Sequence, residues 1–325
     1  MKYLYIVALQ IIFIFPVLSK TKTNNSFGTE SKFIHDVCIT PSGKVLVCTD
    51  NQNVKAFDIK TKKLLAEFTN GHSGKVLTVD ISTDSTMIAS GGRDSTVVIW
   101  DTKTHTVMER ISFTKGKICS VRFSPDSKIL AIGCSNAKAY LYSIIDKKCI
   151  HVFDNQQQEF VEIAYNTYGN LLAITGANKT INIYNTSNYN KTLMLAGHKN
   201  VIRSLAFYDY GNAIFSCGDD GNAIQWKISS NKQLRKEKFS IRNGWNLCLD
   251  VENIGNNKFN MYTIGTIRGN IVVKTLFASY SVNLKCPINQ IKIIPRSDGY
   301  IELLAATLGE GLLFIQAKQM KFKGN

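Results

Sequence analysis

The chain has 325 residues, 44% of them hydrophobic and 19% charged, with 22 glycines and 5 prolines. That balance excludes a disordered chain, a collagen-like chain and a disulfide-dense miniprotein, and it leaves room for one large all-β domain. The formal charge of +15 comes from 31 Lys and 8 Arg against 24 acidic residues, beside 28 Asn; so Lys- and Asn-rich a vocabulary charges any surface, and it singles out no polyanion as a partner.

Met1 and Lys2 give a short positive start, and Tyr3 to Leu18 (YLYIVALQIIFIFPVL) carries no charge. Val17-Leu18-Ser19 then offers small residues where a signal peptidase reads. The expectation is a removable leader over 1–19, an N-terminal flank over 20–32 and one domain over 33–325. The product would be exported, secreted or periplasmic. The alternative is a cytoplasmic subunit of a eukaryotic complex whose apolar start is an anchor or a wrong start site. The eight cysteines show no C-x-x-C and no metal-ligand spacing, and most sit inside apolar runs as small core residues.

Beyond the leader, one turn signal recurs. ITPSGK begins at Ile39, ISTDST at Ile81, FSPDSK at Phe123, YNTYGN at Tyr165, FYDYGN at Phe207, VENIGN at Val251 and IIPRSDG at Ile293, in steps of 42, 42, 42, 42, 44 and 42. An aromatic followed by a polar residue marks the same period at Phe57-Asp58, Trp100-Asp101, Tyr142-Ser143, Tyr184-Asn185 and Trp226-Lys227. Such a period announces stacked or radial repeats. The second repeat divides into KVLTVDIS from Lys75, TMIASGG from Thr86, TVVIWD from Thr96 and TVMERISF from Thr106. These runs are short, β-branched and bounded by Gly, Asp and Ser, which reads as four strands and no helix. Seven such units predict an all-β, seven-bladed β-propeller of four-stranded antiparallel blades. Met320 to Lys323 (MKFK) stands where the outer strand of the last blade would fall, and Thr21 to Glu30 is the weaker candidate for that strand.

Gly71-His72, Ser90, Asp94 and Trp100 repeat their intervals of 18, 4 and 6 at Gly197-His198, Ser216, Asp220 and Trp226. On these residues the chain, over about Phe33 to Ala317, resembles the WD-repeat family. The resemblance implies a hydrogen-bonded His–Ser–Asp–Trp network within a blade, and a rigid platform that binds a protein or peptide. The other blades depart from the pattern. The third puts Gly116-Lys117 at the Gly-His place, with Asn136 and Tyr142 at those of Asp and Trp. The first has Asn51 and Phe57, and the fourth Asn178 and Tyr184.

Ser, His and Asp are the types of a nucleophilic triad, but their duplication with a Trp fits blade cement, not an active site. GHSGKV from Gly71 lacks the full phosphate-loop pattern. No catalytic residue, cofactor or metal is therefore expected, and the protein reads as a monomeric scaffold, not an enzyme.

Position along the repeat selects a candidate partner-binding rim on the face of the turns between second and third strands. It comprises the residues before the network Asp (Arg93, Asp219 and, in blade three, Ser135) and the starts of first strands (Lys75, Lys117, Lys199 and Trp245). Trp and Arg are the types that anchor interfaces, and Trp245 stands outside the Trp marker series. A second feature is Lys227 to Arg242, with six basic residues against Glu237 alone. It predicts the outer strand of blade five, guarded by Lys against edge pairing, or else a strip for a polyanion or phospholipid surface.

Overall fold

Alternating apolar and polar residues in runs of five or six, broken by Asp, Asn, Ser and Gly, give this chain 27 strands and no helix among its described residues. The computed structural model describes residues 27, 29 and 31–316, except 155–159, 177, 209–211, 230–231, 241–244, 255–258, 275–278 and 296–300. The strands pair antiparallel in sequence order into seven sheets. Blade two is typical: Val76–Ile81 lies innermost, then Met87–Gly92 and Thr96–Asp101, with Val107–Ser112 outermost. Six sheets have four strands, and the seventh has three among the described residues. The expected closing strand Met320 to Lys323 lies outside those residues, as do the leader and most of Thr21 to Glu30.

The period is written in the backbone as well. Left-handed φ recurs at Gly43, Ser85, Ser127 and Gly169 in the first corners, and at Ser95, Ala137, Lys179 and Gly221 in the second. It recurs again at Lys62, His105, Lys147 and Tyr189 in the third corners. Each tight hairpin needs one such residue, and only some blades supply glycine for it.

Packing between blades, not within them, makes the core. Seven apolar clusters each draw on two neighbouring blades. Trp100 of blade two, fully buried, lies edge-on to Phe68 of blade one at 5.7 Å. Trp226 of blade five packs with Ile181, Ile183 and Leu195 of blade four. Each fully buried Ile, Leu or Val contributes about 1.5–3 kcal/mol. A blade alone would expose both faces, so its stability comes from its neighbours.

The seam between blades seven and one is closed by the N-terminal segment. Phe27 meets Phe57 of blade one and Phe314 of blade seven, at 5.5 and 5.7 Å between ring centres. Ile34 N–H donates to the Thr307 carbonyl at 3.0 Å, and the Gly309 N–H reaches the Lys32 carbonyl at 2.7 Å. The cysteines sit mostly in these cores: six of the eight are buried, Cys119 is half-buried and Cys149 is exposed.

Candidate functional site

The turns between second and third strands, and the links from each outer strand to the next blade, share one face. Two constructions organise it. The first is the network predicted for blades two and five. Trp100 Nε1–H donates to Ser90 Oγ at 2.8 Å, and Ser90 Oγ lies 2.8 Å from His72 Nε2. His72 Nδ1 lies 3.1 Å from Asp94. A carboxylate only accepts, so Nδ1 carries the proton, Nε2 accepts from the serine, and the ring is neutral. Burial lowers the His72 pKa against the pull of Asp94, which favours the neutral ring.

Asp94 also accepts from the Ser73 backbone N–H at 2.8 Å and from the Thr96 hydroxyl at 2.8 Å. The network thus ties the link into blade two to the turn that carries Arg93. Blade five repeats it. Trp226 to Ser216 and Ser216 to His198 are each 2.8 Å, and His198 to Asp220 is 3.1 Å. Burial works against the Asp220 charge, but the bonds from His198 and Lys199 N–H outweigh it and hold the carboxyl below its usual range.

The second construction is the rim. In blade two the Arg93 N–H donates to the Lys75 carbonyl at 2.8 Å, and in blade three Ser135 donates to Lys117 at 3.0 Å. The matching pair in blade five is Asp219 to Val201 at 2.9 Å, and in blade six Ile267 to Trp245 at 3.0 Å. Lys75, Arg93, Lys117 and Trp245 are exposed, and Ser135 is half-buried. Two residues are placed otherwise than their positions suggested. Lys199 lies three residues before its strand Ile202–Tyr208 and occupies the place of Ser73, donating its N–H to Asp220 at 2.8 Å. The count of residues after the histidine sets the station, and Val201 fills it. Asp219 has a nearly buried side chain, held by Arg203 through bonds of 2.9 and 2.7 Å. By the same register Gly116-Lys117 answers to Gly74-Lys75, not to Gly71-His72.

Sequence position alone passed over Phe33 and Ile267. Phe33 is 53% exposed with the Lys75 ammonium 5.9 Å above its ring, and Ile267 is exposed beside Trp245. It also passed over the lining of the central channel, a cavity of about 280 Å³ bordered by Asp36, Arg122, Glu162 and Gln290 among others. There each blade grips the next. Asp36 accepts from Thr78 Oγ1 and the Val79 N–H, both at 3.0 Å, and Asp80 accepts from the Phe123 N–H at 2.8 Å. Arg122 lies 3.0 Å from Glu162, and Lys292 3.2 Å from Asp250. Burial opposes the Arg122 charge, but Glu162, Asp36 and Asp80 together outweigh it and raise its pKa. Burial pushes Asp80 up to about 6 against the attraction of Arg122. The partners stand one repeat apart, as Asp80 and Arg122 or Asp250 and Lys292 do, and that spacing was a signal available in the sequence.

The basic stretch 227–242 does supply the outer strand of blade five, Lys232–Ser240, but most of its side chains lie outside the described residues. Among the described residues no group of His, Cys, Asp and Glu has the geometry to hold a metal ion.

Comparison with known proteins agrees with this architecture. The family model for the nucleolar protein 10-like N-terminal domain matches residues 33–225, more than half of the chain. A putative BTB/POZ domain and WD-repeat protein of Acanthamoeba polyphaga mimivirus is 24% identical over 219 residues, covering 61% of this chain and 42% of its own. A WD repeat-containing protein of Schistosoma mansoni is 27% identical over 158 residues, 49% of this chain and 52% of its own. The chain spans about half the length of these curated relatives.

Proposed function

The chain belongs to the family of nucleolar protein 10-like N-terminal propeller domains, and on that premise we propose that it is a non-enzymatic scaffold whose turn-bearing face holds a protein or peptide partner. The observation that carries this reading is the pairing of exposed Trp245 with exposed Ile267 on a rigid rim that also presents Arg93 and Lys75. Aromatic and Arg anchors on a preorganised surface are what protein interfaces use, because little side-chain freedom is lost on contact. Capture from the source lysate with the intact protein and with Trp245→Ala tests it. Loss of specific partners in the variant supports the reading, and an unchanged set overturns the role of this face.

Two observations favour different compartments. The uncharged stretch Tyr3 to Leu18 supports export, with cleavage after Ser19 leaving the seam residue Phe27 in place. The family's own description, which refers to a nucleolar protein, supports a subunit of an intracellular eukaryotic complex. Sequencing the N-terminus of the mature protein separates them: a chain beginning at Lys20 fits export, and one beginning at Met1 fits the second reading.

A further inference from the structure

The two faces of the ring carry their charges differently. On the face opposite the rim, the corners need side-chain acceptors, and aspartates supply them. Asp84 accepts from Ser82 and Thr86, Asp126 from Ser124 and Lys128 N–H, and Asp101 from the Lys103 and Thr104 N–H groups. Asp84, Asp126 and Asp146 are exposed there beside Lys103, Lys128 and Lys147, so the two signs are interspersed.

On the rim face basic side chains predominate. Lys75, Arg93, Lys115, Lys117, Lys199 and Arg268 are exposed in its turns and links. The network carboxylates Asp94 and Asp220 are turned to their histidines, and Asp219 to Arg203. Among the described residues the exposed carboxylates of this face are Glu310 and Asp154, the latter 3.8 Å from Lys138. Both faces expose lysines, but among the described residues the opposite face sets corner aspartates among them, while the turns and links of the rim expose mainly Lys and Arg. His35, between the rim and the channel, registers this field. Its pKa is lowered first by burial and then by Arg93 and Lys75.

We infer that the rim face docks an acidic segment of a partner protein, one carrying apolar side chains between its carboxylates. The inference rests on the scaffold reading above and specifies its partner. Complementary charge steers such a segment to the face, and Trp245, Ile267 and Phe33 give its apolar side chains a seat. A nucleic acid would share the attraction to Lys and Arg but would gain nothing from the aliphatic Ile267.

The test is fluorescence anisotropy with a labelled Asp- and Glu-rich peptide containing Leu and Phe. The comparison probes are its Lys-for-acid counterpart and a single-stranded RNA. The acidic peptide is expected to bind, to weaken as salt is raised, and to lose about tenfold in affinity with Arg93→Glu or Lys75→Glu. Lys103→Glu and Lys128→Glu on the opposite face should leave binding unchanged, with circular dichroism confirming that each variant is folded. Equal binding of the basic peptide, indifference to Arg93→Glu, or tighter RNA binding through the same side chains would each overturn the inference. If Trp245→Ala abolishes capture of a partner while the acidic peptide fails to bind, the scaffold reading stands and only this inference falls.

Discussion

Ser90→Ala removes one oxygen from the centre of blade two. Ser90 and Trp100 are fully buried, and the serine hydroxyl both receives the indole N–H and serves His72 Nε2, each at 2.8 Å. Alanine leaves a buried donor and a buried acceptor without partners. At about 1–3 kcal/mol for each of the two orphaned groups, the substitution should cost about 2–6 kcal/mol. Urea unfolding followed by far-ultraviolet circular dichroism measures it. A double-mutant cycle with Trp100→Phe, which removes the donor, isolates the bond: about 1–2 kcal/mol of the Ser90→Ala cost should vanish in the Phe background. Ser216→Ala in blade five, with the same distances, should behave alike. A Ser90→Ala cost below about 1 kcal/mol, or strictly additive costs for the pair, would refute the assignment of the network as blade cement.

The channel makes a prediction of opposite sign to ordinary acid denaturation. Asp80 has its pKa near 6 in the folded chain and about 3.9 when unfolded. Between those values the folded state binds more protons, so this group adds about 2–3 kcal/mol of stability as pH falls from 7 to 4. His72, whose pKa is lowered by folding, works the other way below about 6.5, so the difference between Asp80→Asn and the parent isolates Asp80. The variant should be the more stable at pH 7 and lose its advantage by pH 4, as read from urea midpoints. Arg122→Ala should cost about 3–5 kcal/mol at pH 7, since it strands Glu162 beside Asp36, and the cost should shrink at acid pH. Lys179→Gly, at φ 65°, should raise stability by about 0.5–1 kcal/mol because Gly221 occupies the same corner of blade five without strain; an unchanged melting temperature would count against this.

Much of the fold was legible because every blade repeats the same solution. Trp100 and Trp226 mark third strands, and the corner residues mark hairpins, so two blades with full markers calibrate five without them. The rim was legible only where register was counted. Trp245 stands immediately before the innermost strand of its blade, as its position suggested. Lys199 lies two residues before the station of Lys75, which the spacing from His198 gives to Val201. Phe33 gave no local signal, since an apolar residue before a strand reads as core; Ile267 follows its second strand at the station of Arg93 and Ser135, and only the lost markers of blade six hid that register. The channel pairs were legible in principle, since each lies one repeat apart, but a charge in an inner strand is noticed only once that strand is known to face a channel.

The seam sets a schedule for synthesis. Asp36 Oδ1 receives the Gln290 side-chain amide at 3.1 Å, across 254 residues of chain. At roughly 5–20 residues per second, the ribosome needs on the order of 10–50 s to deliver that partner. Throughout that interval the emerging chain is an open arc, with the side of blade one that will meet blade seven and the leading side of the most recent blade both uncovered. Any factor that shields Phe57 and Leu46 before blade seven arrives would therefore govern the yield of closed rings.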